Sequence, residues 1–305
     1  MILERLVRET GITAPVLAQI IKTASHRYKT YHIKKKSGGS RTISQPTPQV
    51  KYLQRWVVKN LILVLPVHNS VTSYKRGMGI AENARRHSKY NYLLRIDFKD
   101  FFPSIKAEDV RGLLHSDFEK LSSLGFDEAD IELVVSITCR FGSLSIGAPS
   151  SPAISNAVLF EFDKRIYEYC ERNQLVYTRY ADDLCFSTDV PNRLSEVLQF
   201  VKDDLVRHSL PKLFVNVDKT IFTSKKRRRA ITGVILTPTG ILSVGRKKKR
   251  ALRSMIFSYR SGILKPSELM YLRGYLSYAR SVEPDMLARL RKKYGDEVLE
   301  KIMTT

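Results

Sequence analysis

Two aspartates stand next to each other in residues 177–187, where apolar and polar side chains alternate on both sides of them. The alternation predicts two short strands that meet in a tight turn, with Asp182 and Asp183 at its tip. Two like charges about 4 Å apart repel by ~1 kcal/mol in water and by several times more beside protein. A divalent cation would reverse the sign of that interaction. The pair therefore indicates a candidate cation site.

A third carboxylate, Asp97, ends an apolar segment, residues 91–98, that we expect to form a buried strand. Two strands that each deliver carboxylates at one end can place three acidic groups around one point. Three hard oxygen donors without His or Cys suit Mg²⁺ or Mn²⁺. Because a single Asp at a strand end is more often a turn former or a helix cap, the inference depends on the combination.

The excess of basic residues indicates the class of molecule that the protein binds. The chain has 305 residues, with 52 Lys and Arg against 30 Asp and Glu, so its formal net charge is +22. Such an excess favours a polyanion, most often nucleic acid, over an anionic membrane surface. The longest apolar run, residues 61–67, is too short to cross a bilayer, and we expect no membrane partner. The simplest reaction is then phosphoryl transfer on nucleic acid by two metal ions about 3.5–4 Å apart.

The elements that must position the carboxylates are strands interleaved with helices, and both ends of the chain read as all-helical. We expect helices within residues 1–25 and over 46–65, 80–89, 106–117, 127–140, 153–171, 193–208, 246–261, 266–280 and 285–302. We expect strands over 31–43 as a hairpin, 91–98, both flanks of the Asp-Asp turn, 213–218, 230–236 and 240–244.

The order of the motifs resembles that of reverse transcriptases from about residue 30 to residue 245. Residues 180–183 (Tyr-Ala-Asp-Asp) resemble the catalytic box of that family, and residues 96–102 resemble its first acidic motif. Residues 147–156 resemble the loop and helix under the template and incoming nucleotide, and residues 216–220 the motif with the family's lysine. The resemblance implies an α+β right-hand polymerase with fingers, an antiparallel palm sheet and a helical thumb. The boundaries it implies are 1–28 for an N-terminal helical extension, 29–235 for fingers and palm, and 236–305 for a helical, RNA-binding thumb.

A narrower resemblance is to bacterial retron reverse transcriptases. Residues 83–87 (Asn-Ala-Arg-Arg-His) resemble their Asn-Ala-x-x-His signature, and residues 231–233 (Ile-Thr-Gly) are close to their Val-Thr-Gly motif. This implies a bacterial, cytoplasmic RNA-directed DNA polymerase that copies a cognate structured RNA into branched multicopy single-stranded DNA, with a separate anti-phage effector protein. Two alternatives stay open: another bacterial class, such as the group II intron-like or diversity-generating enzymes, or a non-catalytic nucleic-acid-binding subunit of a defence complex.

The resemblance also implies roles for individual residues. The predicted catalytic residues are Asp97, Asp182 and Asp183, as ligands of two Mg²⁺ (or Mn²⁺) ions, and Lys219, as general acid for the departing pyrophosphate. The predicted binding residues for the deoxynucleoside triphosphate are Lys35 (or its neighbour Lys34), Arg41, Phe98, Phe102, Gly147 and Ala148, with Phe102 as the ring that excludes a ribose 2′-hydroxyl. The predicted nucleic-acid contacts are Asn83 and His87, four residues apart on one helical face, where a structural role also stays open. The cationic stripe of the helix over 246–261 adds Arg246, Lys249, Arg250 and Arg253 to the predicted contacts. One departure concerns Ile146, which stands where the family usually has Gln.

Overall fold

The computed structural model describes residues 2–34, 38–208 and 210–304. Lys35 lies outside the described residues. The N-terminal part contains, in chain order, α1 (Ile2–Thr10), α2 (Ala14–Lys22), β1 (Tyr28–Lys34), β2 (Ser40–Pro46), α3 (Pro48–Asn60) and α4 (Ile80–His87). The predicted hairpin is confirmed, since β1 and β2 pair antiparallel. The predicted helix over 46–65 is shorter, because a 3₁₀ turn at Ile62–Val64 follows α3 and Pro66 disfavours helix at the residue before it.

The central part holds the sheet that carries all three carboxylates. Its elements are β3 (Tyr92–Asp97), α5 (Phe101–Ser104), α6 (Ala107–Ser116), α7 (Phe118–Ser122), α8 (Glu128–Thr138), α9 (Ser151–Val158), α10 (Phe160–Arg172), β4 (Val176–Tyr180), β5 (Asp183–Thr188), α11 (Arg193–Arg207) and β6 (Ile221–Ser224). Four strands form a sheet in the order β4-β5-β3-β6, and every neighbouring pair is antiparallel. This is the antiparallel sheet that the resemblance predicts for the palm.

The two faces of this sheet contact two different cores. Leu94 and Ile96 of β3 pack into the larger core, with helices from the N-terminal and central parts. Leu93 and Cys185 point to the other face and join a second core with α4 and the C-terminal helices. Alternate residues of a strand point to opposite faces, so β3 is apolar on both sides.

The C-terminal part is a small sheet followed by helices. Its elements are β7 (Arg229–Ile231), β8 (Val234–Leu236), β9 (Leu242–Ser243), α12 (Arg246–Arg260), α13 (Pro266–Val282), α14 (Pro284–Tyr294) and α15 (Asp296–Thr304). The strands pair in the order β7-β8-β9. Across the described residues, none of the helices combines the length and the apolar composition that a membrane span needs.

Besides the helix over 46–65, four predicted elements differ from the structure. The helix over 153–171 is divided at Leu159 into α9 and α10, and the helix over 285–302 is divided at Gly295, whose φ of +92° a glycine adopts without strain. The strand over 230–236 is a hairpin that turns at residues 232–233, both with positive φ, as type I′ turns require. The prediction of a strand over 213–218 is wrong. In that segment Val215 makes a single bridge to Phe98, and β6 pairs with β3 instead.

Candidate active site

The Asp-Asp turn has the geometry that the alternation predicts. β4 ends at Tyr180 and β5 begins at Asp183, so Ala181 and Asp182 form a two-residue connection, with Ala181 at φ +56°. In the adjoining strand pair Asp97 stands directly opposite Asp183. The backbone N–H of Phe98 donates to the carbonyl of Asp182 at 3.1 Å. The sheet thus brings all three carboxylates together where its central strands β3 and β5 meet the Asp-Asp turn.

Two of the carboxylates have cationic partners. Asp97 accepts hydrogen bonds at Oδ1 from Lys219 Nζ at 2.7 Å and from Asn216 Nδ2 at 3.3 Å. Asp183 accepts from Arg95 Nη2 at 3.2 Å. Burial raises the pKa of Asp182 to about 6, with further contributions from Asp183 and Asp97. Negative charge is therefore concentrated at this point beyond what Lys219 and Arg95 offset.

This donor set fits a divalent cation. Within the described ranges, no group of three or more His, Cys, Asp or Glu side chains is arranged to hold a metal ion. The carboxylates nevertheless supply hard oxygen atoms, and the charges of Asp183 and Asp97 add to burial in raising the pKa of Asp182. Oxygen ligands with excess negative charge are those that Mg²⁺ and Mn²⁺ take in proteins.

A cavity of about 710 Å³ opens beside the Asp-Asp turn. Its lining includes Arg41, Phe102, Asp182 and Lys219, which the sequence analysis names, together with Ser145 and Ile146 of the loop before α9. Cavities of 300–1,000 Å³ are typical of sites for small ligands. An arginine, an aromatic ring, a lysine and a carboxylate around one such volume suit a nucleotide with its phosphates.

Three predicted nucleotide contacts have other surroundings. Phe98 borders the cavity, but its buried ring stacks on Phe101 at 5.9 Å and meets Phe162 edge-on at 5.8 Å. Gly147 and the buried Ala148 are absent from the described lining of the cavity, where Ser145 and Ile146 stand instead. Phe98 therefore serves the core, and the loop presents different residues from those predicted.

Gly147 is required by close contact with β2. Ser44 N–H donates to the carbonyl of Ile146 at 2.7 Å. Gly147 has φ +108°, and a Cβ there would lie 2.9 Å from the Ser44 carbonyl oxygen and 3.0 Å from Ile43 Cγ2. The loop that lines the cavity is thereby fixed to the β1–β2 hairpin.

Replacing Gly147 with Ala is expected to destabilise the protein, because β2 must shift away from the loop. Left-handed backbone alone costs an alanine about 1–2 kcal/mol, and the contact adds to that cost. Gly125→Ala is the matched control, since Gly125 has φ +79° but open space around its Cβ position. The free energy of unfolding, measured in urea, should fall further in Gly147→Ala than in Gly125→Ala. Equal behaviour would contradict the role of the contact.

Direct RNA contact by Asn83 and His87 is contradicted by their burial. Both side chains are 0% exposed. The His87 ring is hydrogen bonded at Nδ1 to Ser187 Oγ and at Nε2 to Thr178 Oγ1, each at 2.7 Å, and Thr178 donates to Asn83 Oδ1. Burial lowers the pKa of His87 to about 3. The motif fixes α4 to the strands that carry the Asp-Asp turn.

His87 predicts a pH dependence of stability. Its folded-state pKa lies below the ordinary value of 6.5, so the unfolded chain takes up a proton that the folded protein does not. Stability should fall as pH decreases from about 6.5 towards 3, by up to about 1.4 kcal/mol per pH unit. His87→Gln should remove that slope in unfolding measured between pH 4 and 8, whereas His32→Gln, at an exposed position on β1, should keep it. An unchanged slope in His87→Gln would exclude this assignment.

The basic helix α12 exposes most of its predicted contacts. Arg246, Arg250 and Arg253 are exposed. Lys249 instead donates to Glu283 Oε1 at 2.6 Å, which connects α12 to the junction of α13 and α14. The helix therefore presents these three arginines to solvent, while the lysine stabilises the helical packing.

Sequence reasoning missed two features of the site. Arg179, just before the catalytic box, is fully buried and pairs with Asp163 of α10 at 2.6 Å. Tyr74 lines the cavity from the loop before α4. A charged residue at an inward position of β4 was a readable signal for the first, but its partner lies 16 residues away on another element.

Comparison with known proteins identifies the family. The model of the family described as reverse transcriptase (RNA-dependent DNA polymerase) matches residues 33–236. The Retron Ec83 reverse transcriptase of Escherichia coli is 37% identical over 291 residues, which are 92% of this chain and 91% of the relative. This chain belongs to the retron reverse transcriptases. Its activity is accordingly that of an RNA-directed DNA polymerase.

Further comparisons agree with the assignment of this reverse transcriptase to its family. The Retron Ec86 reverse transcriptase of Escherichia coli is 32% identical over 311 residues, covering 99% of this chain and 93% of the relative. Among solved structures, apo telomerase from Candida tropicalis aligns with a TM-score of 0.53 at 13% identity, over 92% of this chain and 58% of that one. The telomerase likeness concerns the fold alone.

Proposed function

We propose that this reverse transcriptase copies a cognate structured RNA into branched multicopy single-stranded DNA, using two Mg²⁺ ions held by Asp97, Asp182 and Asp183. The observation that carries the proposal is the convergence of Asp97 and Asp182 beside a nucleotide-sized cavity that also contains Arg41 and Lys219. The match to relatives named as retron reverse transcriptases, over most of their length, supports the choice of a retron-type product.

The chain's own groups have distinct tasks in this mechanism. When bound, the metal ions would activate the attacking hydroxyl and stabilise charge on the departing pyrophosphate. Arg41 binds the triphosphate through its guanidinium. Lys219 donates to Asp97 at 2.7 Å in this structure. During the reaction its ammonium group would turn from Asp97 to the departing pyrophosphate and give the pyrophosphate a proton. Which of Lys34 and Lys35 assists Arg41 stays open.

The C-terminal part supplies the second half of the proposal. We assign residues 1–28 to an N-terminal extension, 29–235 to fingers and palm, and 236–305 to an RNA-binding thumb. The exposed Arg246, Arg250 and Arg253 on α12 support this assignment, because phosphate contacts of this kind dominate affinity for nucleic acid. A separate effector protein and a role in defence against phage, in the bacterial cytoplasm, complete the proposal.

Phe102 is proposed to select deoxynucleotides, and its position in the lining of the cavity supports this. Phe102→Val should admit ribonucleotides, because the smaller side chain leaves room for a 2′-hydroxyl. We expect the preference of the enzyme for dNTP over NTP, measured as a ratio of kcat/KM values, to fall about tenfold or more. Phe141→Val is the matched control, since Phe141 lines the same cavity on the loop after α8. An unchanged ratio in Phe102→Val would exclude the gate.

The nucleic acid that co-purifies with the protein tests the proposed product. We expect one RNA species joined to a short DNA through a 2′,5′ bond at a guanosine. Ribonuclease digestion should leave DNA with a residual branched ribonucleotide at its end. Asp182→Asn, purified in parallel, should carry the RNA without DNA. Heterogeneous RNA without DNA on the wild-type protein would contradict the proposal.

A further inference from the structure

Tyr74 has a backbone conformation that a large side chain rarely adopts. Its φ is +55°, in the left-handed region, which costs an L-residue about 1–2 kcal/mol. The side chain is nevertheless 54% exposed, so it gains little from packing. It lines the same cavity as Arg41, Phe102 and Asp182. Strain at an exposed aromatic residue in a ligand cavity is evidence for a role in binding.

The residue before Tyr74 is anchored to the catalytic turn. Ser73 is fully buried, and its hydroxyl accepts a hydrogen bond from the backbone N–H of Ala181 at 2.8 Å. Its carbonyl accepts from Asn156 Nδ2 of α9 at 3.0 Å. Asn156 Oδ1 in turn accepts from Arg179 Nη1 at 3.2 Å. The Asp-Asp turn and α9 therefore fix the backbone from which Tyr74 projects, and Arg179 of β4 in turn holds Asn156.

The ring of Tyr74 lies beside the catalytic box. Its centroid is 6.4 Å from that of Tyr180, with the two planes tilted by 37°. Burial, Tyr180 and Asp182 raise the pKa of Tyr74, and Arg41 lowers it. The residue is thus within electrostatic reach of both the proposed triphosphate-binding arginine and a proposed metal ligand. All three side chains line one cavity, so a nucleotide held between the arginine and the carboxylate would be within reach of this ring.

We infer that Tyr74 contacts the base pair that forms between the incoming deoxynucleotide and the template. The inference rests on the proposed nucleotide site and deepens it. An exposed ring on an anchored backbone can stack on any base, since every base presents a π-face. Tyr74 then acts on nucleotide affinity and on pairing accuracy, while Asp97 and Asp182 act on the chemical step.

The left-handed conformation offers a clean variant. Glycine adopts this φ without penalty, so Tyr74→Gly removes the ring and relieves the backbone. Tyr74→Phe keeps the ring and removes the hydroxyl. Tyr52→Ala, at an exposed position on α3, controls for the loss of an exposed tyrosine elsewhere. Each protein is assayed by DNA primer extension on an RNA template, for the KM of the correct dNTP and the frequency of mispaired incorporation, and by thermal unfolding.

We expect Tyr74→Gly to raise the KM for the correct dNTP about tenfold and to increase mispairing, with a Tm no lower than that of the wild type. Tyr74→Phe and Tyr52→Ala should stay within about twofold of the wild type. If Tyr74→Gly is folded and has wild-type KM and accuracy, Tyr74 is only a turn residue and the inference is overturned. If wild-type protein extends no primer on RNA, the proposed function fails, and this inference fails with it.

Discussion

Replacing Asp182 with Asn is expected to lower DNA synthesis by about a thousandfold or more, because it removes a charge from the point where all three carboxylates meet. The substitution keeps the size and shape of the side chain. Stabilisation of transition-state charge by a held metal ion contributes several kcal/mol, which corresponds to that factor. Asp97→Asn should have a similar effect, since Asp97 occupies the neighbouring strand end.

Folding and RNA binding should survive the loss of Asp182. Burial and the neighbouring Asp183 and Asp97 disfavour the charged form of this side chain, so a neutral amide relieves repulsion in the metal-free protein. Its Tm at pH 8 should equal or exceed that of the wild type. Asp203→Asn, at an exposed position on α11, is the matched control and should keep full activity. A folded Asp182→Asn enzyme with wild-type activity would show that the site is elsewhere.

Breaking the buried ion pair between Arg179 and Asp163 is expected to cost about 3–5 kcal/mol of unfolding free energy. Both side chains are 0% exposed. Arg179 Nε and Nη2 donate to the carboxylate of Asp163, which also accepts from the Tyr177 hydroxyl at 2.7 Å. Removing Asp163 leaves a cation in the core, and the arginine that holds the carbonyl of Ala181 loses its orientation.

A double-mutant cycle tests this pair by chemical unfolding. Asp163→Leu and Arg179→Met should each destabilise strongly, whereas the double variant should cost much less than their sum, because it buries no unpaired charge. Arg193→Met breaks an exposed pair with Glu196 and should cost less than about 1 kcal/mol. If the single core variants cost no more than this control, the pair has no role in stability.

The strands of the catalytic sheet were predictable where local pattern and burial agree. The alternation around Asp182 and the apolar run before Asp97 located β4, β5 and β3 within one or two residues. The segment 213–218 shows the same alternation, yet it does not form a regular strand. There Asn216 contacts Asp97 through both its backbone N–H and its side chain, and this long-range contact replaces regular pairing.

The residues that line the candidate site were easier to predict from the sequence than the buried residues that position them. Arg41, Phe102, Asp182 and Lys219 line one cavity, and Asp97 lies beside it, bound to Lys219 at 2.7 Å. Burial decided the errors, because His87 in a basic helix resembles an RNA contact until the partner strands are placed. Tyr74 was missed for a related reason, since its positive φ and the cavity that it lines leave no local pattern in the sequence.

Single-turnover extension of a DNA primer on an RNA template, as a function of Mg²⁺ concentration, tests the central claim most directly. The wild-type protein should make DNA only when a divalent ion is present, and Asp182→Asn should make almost none at any Mg²⁺ concentration while still binding the template. Extension by Asp182→Asn at the wild-type rate, or extension by the wild type without divalent ions, would contradict the account.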